Sequence, residues 1–168
     1  MKLNRTTFLS GLAVVVGLTI LPIPGKTEEK FTFILDDNIT PQFNALGHIR
    51  LNTKYDIQDA KNLALMITDP DGSKTNYDNW HFYTKSALTA LILDFSYSKN
   101  INKKDKKLIN FKKYVNNLRN NTNQKFQMIM EKSTHPYVKT ITQDILNSPQ
   151  NEKECVLAMI NNYISDIV

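Results

Sequence analysis

A single apolar stripe limits the folds open to this chain. Trp80, Tyr83, Ala87, Leu88, Leu91, Ile92 and Phe95 recur at intervals of three and four residues. That spacing places them on one broad face of an α-helix, whereas a strand requires alternation. Asp78 or Asn79 stands where an N-cap is needed. A helix this apolar must be enclosed by other elements, so the rest of the chain has to supply its cover.

The covering elements have the same period. Asp56 is placed to cap a helix over about Ile57 to Ile67, with Leu63, Ala64 and Ile67 on one face, and Asp69-Pro70-Asp71-Gly72 ends it with a turn. Leu108, Phe111, Val115 and Leu118 mark a third helix. Phe126, Ile129 and Met130 mark a shorter fourth. Thr134-His135-Pro136 starts a fifth, with proline at its first position and Val138, Ile141, Ile145 and Leu146 on its apolar face. Ser148-Pro149 breaks the chain. A sixth follows from about Asn151 to Ile167, with Val156, Met159, Ile160, Tyr163 and Ile164 inward and Glu152 and Glu154 in its first turn. The expected fold is mainly α, a compact bundle of about six helices. Before it come Phe31 to Leu35, which read as a strand, and Pro41 to Arg50, a loop with a short extended piece. The expected division is an apolar N-terminal segment over 1–30, a strand and loop over 31–54, and an all-helical domain over 55–168. At 168 residues with 41% hydrophobic content, one core is the natural expectation.

The N-terminal segment admits three readings. Phe8 to Ile23 is apolar, follows Lys2 and Arg5, and is closed by Pro22, Pro24 and Gly25. It is short for a membrane span and laid out like a secretory signal, although a small-residue cleavage site is absent. A membrane anchor, or the remnant of a larger domain, fits as well.

Few residues suggest covalent chemistry. Gly25-Lys26-Thr27 has the tail of a phosphate-binding loop without the spaced glycine before it or an amphipathic helix after it. Asp69 and Asp71 lack the remaining oxygen ligands of a calcium loop, whose twelfth position here is Trp80. His48, His81 and His135 stand far apart with no cysteine beside them, and Cys155, alone, reads as a small core residue of the last helix. Trp80 and Tyr83 read as core rather than as a platform for bases. No catalytic residue, metal site or cofactor is expected.

Charge is more informative. The formal net charge is +5, and from Lys99 to Arg119 eight basic residues face one acid, Asp105. Lys103, Lys104, Lys106, Lys107, Lys112, Lys113 and Arg119 are the candidate nucleic-acid contacts, since a basic face attracts polyanions. Lys103, Lys106, Lys107 and Lys113 are expected to share a helix face. A solvated lysine face shaped by AT-rich codon usage is the competing reading.

Four segments in order give the chain a resemblance. Phe43-Asn44-Ala45-Leu46, then Asp56 to Ala64 with Asp69-Pro70-Asp71-Gly72, then Asn79-Trp80 with Ala87-Leu88 and Leu91-Ile92-Leu93, and finally His135-Pro136-Tyr137-Val138, Ile145-Leu146, Asn151-Glu152 and Val156-Leu157, resemble the helical domain of TraG/TraD-type coupling proteins of type IV secretion and conjugation. The resemblance covers about 120 residues, from 43 to about 164. Departures are Ala45 for the usual proline, Glu154-Cys155 for a serine-glycine pair, and Ala158-Met159 for serine-threonine. Ser10 to Val16 resembles the family's phosphate loop, with leucine in place of its lysine.

The resemblance implies a substrate-recruiting domain at the cytoplasmic face of a hexameric inner-membrane motor. Its partners would be DNA, relaxosome or substrate proteins, full-length coupling-protein subunits, and the membrane through residues 8–23. Members carry a phosphate-binding loop before this domain and an aspartate-rich strand after it; without both, ATP hydrolysis is not expected of the chain. The rival readings are a small secreted or periplasmic effector, exported if residues 1–25 are a signal, and a decayed reading frame.

Overall fold

The structure, a computed structural model, describes residues 44–70, 72 and 78–165. The expected strand at Phe31 to Leu35, the apolar segment Phe8 to Ile23 and the Gly25-Lys26-Thr27 motif lie outside these residues.

Six helices follow a short 3-10 turn, Ala45–His48: α1 (Asp56–Thr68), α2 (Asn79–Tyr97), α3 (Leu108–Leu118), α4 (Thr122–Lys132), α5 (Pro136–Asn147) and α6 (Gln150–Ser165). The fold is mainly α, and no strand occurs among the described residues. The segment expected to contain an extended piece before residue 50 instead coils tightly, with the Gly47 N–H donating to the Asn44 carbonyl at 2.8 Å.

The core is built around α2. Ala87, Leu88, Leu91, Ile92 and Leu93 are wholly buried, and Phe95 nearly so. This helix packs against α1, α3, α5 and α6, while α4 closes onto α5. Burial on nearly every side explains why its apolar residues are not confined to one stripe. Phe95 meets Phe111 of α3 edge-on at 5.6 Å between ring centres, an arrangement that the quadrupoles of aromatic rings favour. Leu46 and Ile49, ahead of α1, join the same core.

The helix ends follow local chemistry. The Asp78 carboxylate accepts the His81 N–H at 2.8 Å, capping α2. Gly72 has φ of +65°, a conformation glycine adopts without strain, and its N–H reaches the Asp69 carbonyl at 3.2 Å to form the turn after α1. Pro136 occupies the first position of α5.

Four expectations need correction. Asp56 is not the cap of α1 but its first residue; Tyr55 holds the cap position, and the Asp56 carboxylate accepts the Ile57 N–H through one oxygen and the Tyr97 hydroxyl through the other. Cys155 is exposed, because the buried stripe of α6 passes through Lys153, Val156, Leu157, Ile160 and Ile164 instead. Trp80 is 40% exposed: it sits in the first turn of α2, at the rim of the bundle, where neighbouring helices cover only part of its ring. Met159 and Tyr163, expected inward, are only partly buried.

Candidate functional site

The basic segment bridges the end of α2 and the body of α3. Lys103–Asp105 form a single 3-10 turn, and Lys107 is the residue preceding α3. The helix face expected for Lys103, Lys106, Lys107 and Lys113 therefore does not exist; only Lys112 and Lys113 lie on the helix. Four cations one turn from the N-terminus would oppose the helix dipole, and the helix begins only at Leu108, where the apolar pattern starts.

Two of the seven candidates have structural tasks. Lys106 Nζ donates to the Ser96 carbonyl at 2.5 Å, in the last turn of α2, and burial lowers the Lys106 pKa. Lys112 Nζ donates to the Ser165 carbonyl at the end of α6, 2.7 Å away. A third lysine, Lys125, does the same for the Asn117 carbonyl near the end of α3. Each supplies positive charge to carbonyls that a helix leaves unpaired at its C-terminus. Lys103, Lys104, Lys107, Lys113 and Arg119 remain exposed and are the cations free to meet an external anion. Arg119 opens onto a polar cavity of about 790 Å³ shared with Asn121, Thr122, Asn123, Gln124, Gln150 and Glu154.

A second polar constellation lies inside the fold. Asp56 Oδ2 accepts the Tyr97 hydroxyl at 2.5 Å and lies 3.3 Å from His135 Nε2, while Oδ1 accepts the Ile57 N–H at 2.6 Å. Burial alone would raise the Asp56 pKa; the donors Tyr97, Ile57 and His135 outweigh it and hold the carboxyl below its ordinary value. Tyr97 also accepts the Asn52 N–H at 2.7 Å. This network joins α1, α2 and the start of α5. It has no nucleophile beside it, and its chemistry is that of a fastening. Sequence reasoning missed it because its members stand 41 and 79 residues apart.

The first turn of α2 forms the third feature. Asn79, Trp80 and Tyr83 line a groove of about 500 Å³ with Asp144, Asn147, Ser148 and Glu152, from the end of α5 and the start of α6. The Tyr83 hydroxyl is 2.9 Å from Ser148 Oγ and fixes one wall. Among the described residues no cluster of three or more metal-ligating side chains occurs, and no helix is long and apolar enough to cross a membrane.

Comparison with known proteins gives this helical architecture a family. The profile of the type IV secretory system conjugative DNA transfer family matches residues 31–166. The chain belongs to the conjugative DNA transfer family. Within the curated relatives, conjugal transfer protein TraG of Escherichia coli is 28% identical over 131 residues, covering 73% of this chain and 20% of TraG. The chain thus spans about a fifth of the length of that relative. No solved structure gives a significant match.

Proposed function

We propose that this chain is a helical recruiting module of a conjugative DNA transfer system, acting at the cytoplasmic face of the inner membrane by binding rather than by catalysis. The observation that supports this reading most is the family match, which takes in the whole described bundle. Five exposed cations along one stretch provide a surface for DNA, and the groove beside Trp80 provides a surface for protein. Full-length coupling subunits are further proposed partners, a reading supported by the similarity to a conjugal transfer protein.

ATP turnover is not part of the proposed role. Phosphoryl transfer requires a phosphate cradle, Mg²⁺ and a positioned water together. Nowhere in the 168 residues is there a G-x-x-x-x-G-K-[ST] sequence to form the cradle.

The test uses the chain in a donor cell carrying a conjugative plasmid. Affinity purification of the tagged chain should retain relaxosome or coupling-protein subunits identified by mass spectrometry. Its overproduction should lower transfer frequency by competition. The purified chain should release no phosphate from ATP above a buffer blank. Retention of no transfer component together with unchanged transfer frequency would overturn the reading, and turnover that persists through repurification would overturn its non-catalytic part.

A further inference from the structure

The groove at the start of α2 combines three features. First, Trp80 presents 40% of its surface to solvent, a large apolar ring at the rim of an otherwise well-closed core. Second, Asp144 and Glu152 bring two carboxylates to the same groove, and the structure shows neither of them paired with a cation among the described residues. Third, the chain as a whole is basic, with a formal net charge of +5, so an acidic, aromatic recess is the reverse of the general surface. The walls are fixed. Ser148 Oγ meets the Tyr83 hydroxyl at 2.9 Å and donates to the Asp144 carbonyl at 3.0 Å, so the turn carrying the groove's polar groups is held to α2.

We infer that this groove binds an arginine-containing segment of a protein partner. A guanidinium is planar; it stacks on an aromatic face while its edge donates to carboxylates. Trp80 and Tyr83 offer the faces, and Asp144 and Glu152 the acceptors. Asn79 and Asn147 also line the groove with amides able to pair with a main chain, although Asn147 Oδ1 already accepts from Gln143 Nε2 at 3.0 Å. A nucleic-acid strand is a poor occupant, because its phosphates would meet both carboxylates. The chain itself shows the same chemistry on a smaller scale: the Arg50 guanidinium lies 4.2 Å from the centre of the Tyr55 ring while pairing with Asp59 at 2.7 Å. The identity of the partner as a transfer-system protein rests on the recruiting role proposed above; the groove's preference for arginine does not.

Trp80 is the single tryptophan of the chain, so its fluorescence reports on this groove directly. The full chain is titrated with an acetylated and amidated Gly-Arg-Gly-Arg-Gly peptide and with the same peptide carrying citrulline in place of arginine. Citrulline keeps the shape and removes the charge. The arginine peptide should change the emission saturably, and the citrulline peptide should not. Asp144→Asn with Glu152→Gln should weaken binding by about tenfold or more, the loss expected of charge-assisted contacts. Asp144 is exposed and Glu152 half-buried, and matching circular dichroism melts will show that the variant is folded; each single substitution repeats the test independently. A flat titration, equal binding of the citrulline peptide, or full binding by the double variant would overturn the inference. So would a single-stranded oligonucleotide that moves the emission as strongly as the peptide. A flat titration alongside retained relaxosome proteins removes the groove and leaves the recruiting role. Peptide binding with no transfer component retained does the opposite.

Discussion

Two carboxylates, Asp56 buried and Asp94 half-buried, illustrate how environment assigns a residue its effect on stability. Asp94 is pushed up by burial, which the hydrogen bond from the Tyr114 hydroxyl at 2.8 Å only partly offsets. Asp56 is held down by its three donors despite burial. The signs of the two linkages are opposite. A carboxyl with a depressed folded pKa contributes stability above its unfolded value, near 3.8, and loses it as pH falls through the folded value. A carboxyl with a raised folded pKa favours the folded state only while protonated, and its cost appears as pH rises through and beyond 3.8. Asp94→Asn removes the charge and keeps an acceptor for Tyr114. It should therefore raise the melting temperature at pH 7 and leave it nearly unchanged at pH 3, where Asp94 is already protonated. A lower melting temperature at pH 7 would show that the Tyr114 contact outweighs the burial cost. Neither carboxylate is distinguishable in the sequence from the exposed acids around it, because burial of a charge is decided by helices distant along the chain.

At the scale of elements, periodicity carried most of the reading. The α2 stripe, the proline start of α5 and the turn at Gly72 are local signals, and the structure places all three where the sequence expectation puts them. Leu91→Ala should cost on the order of 2–5 kcal/mol, because Leu91 is wholly buried at the centre of the bundle and its removal leaves a cavity. Chemical denaturation of the variant measures this, and a loss well under 1 kcal/mol would mean that the site collapses to fill the space. What periodicity misjudged are the edges of the buried stripes. Trp80 satisfies the α2 spacing yet sits where the bundle stops, and Cys155 falls between the buried positions of α6. The shared face expected for Lys103, Lys106, Lys107 and Lys113 failed for a related reason: helical spacing does not extend from α3 back through residues that form a 3-10 turn and a loop. The groove at Trp80 left no trace in sequence spacing, since α2, α5 and α6 each contribute only a few of its residues.

For the whole molecule, the open property is its response to polyanions. If the exposed cations contact nucleic acid, they do so through phosphates, since a lysine ammonium is a point charge without the planar fork that reads base edges. Changing Lys103, Lys104 and Lys107 together to Gln should weaken binding equally for all sequences and flatten the salt dependence by roughly two units of logarithmic slope for a single strand. An unaltered slope, or no binding at low salt by the unmodified chain, would assign these lysines to solvation alone. Lys106 stands apart from that set, because it holds the end of α2. The same holds for Lys112 and Lys125, which secure the ends of α6 and α3. A random screen for variants that bind nucleic acid less well would recover these three positions beside any true contacts, and the two groups would look alike in that assay. Lysine in this protein is divided between mortar and surface, so a map of function drawn from loss of charge alone would trace the joints of the building as readily as its doors.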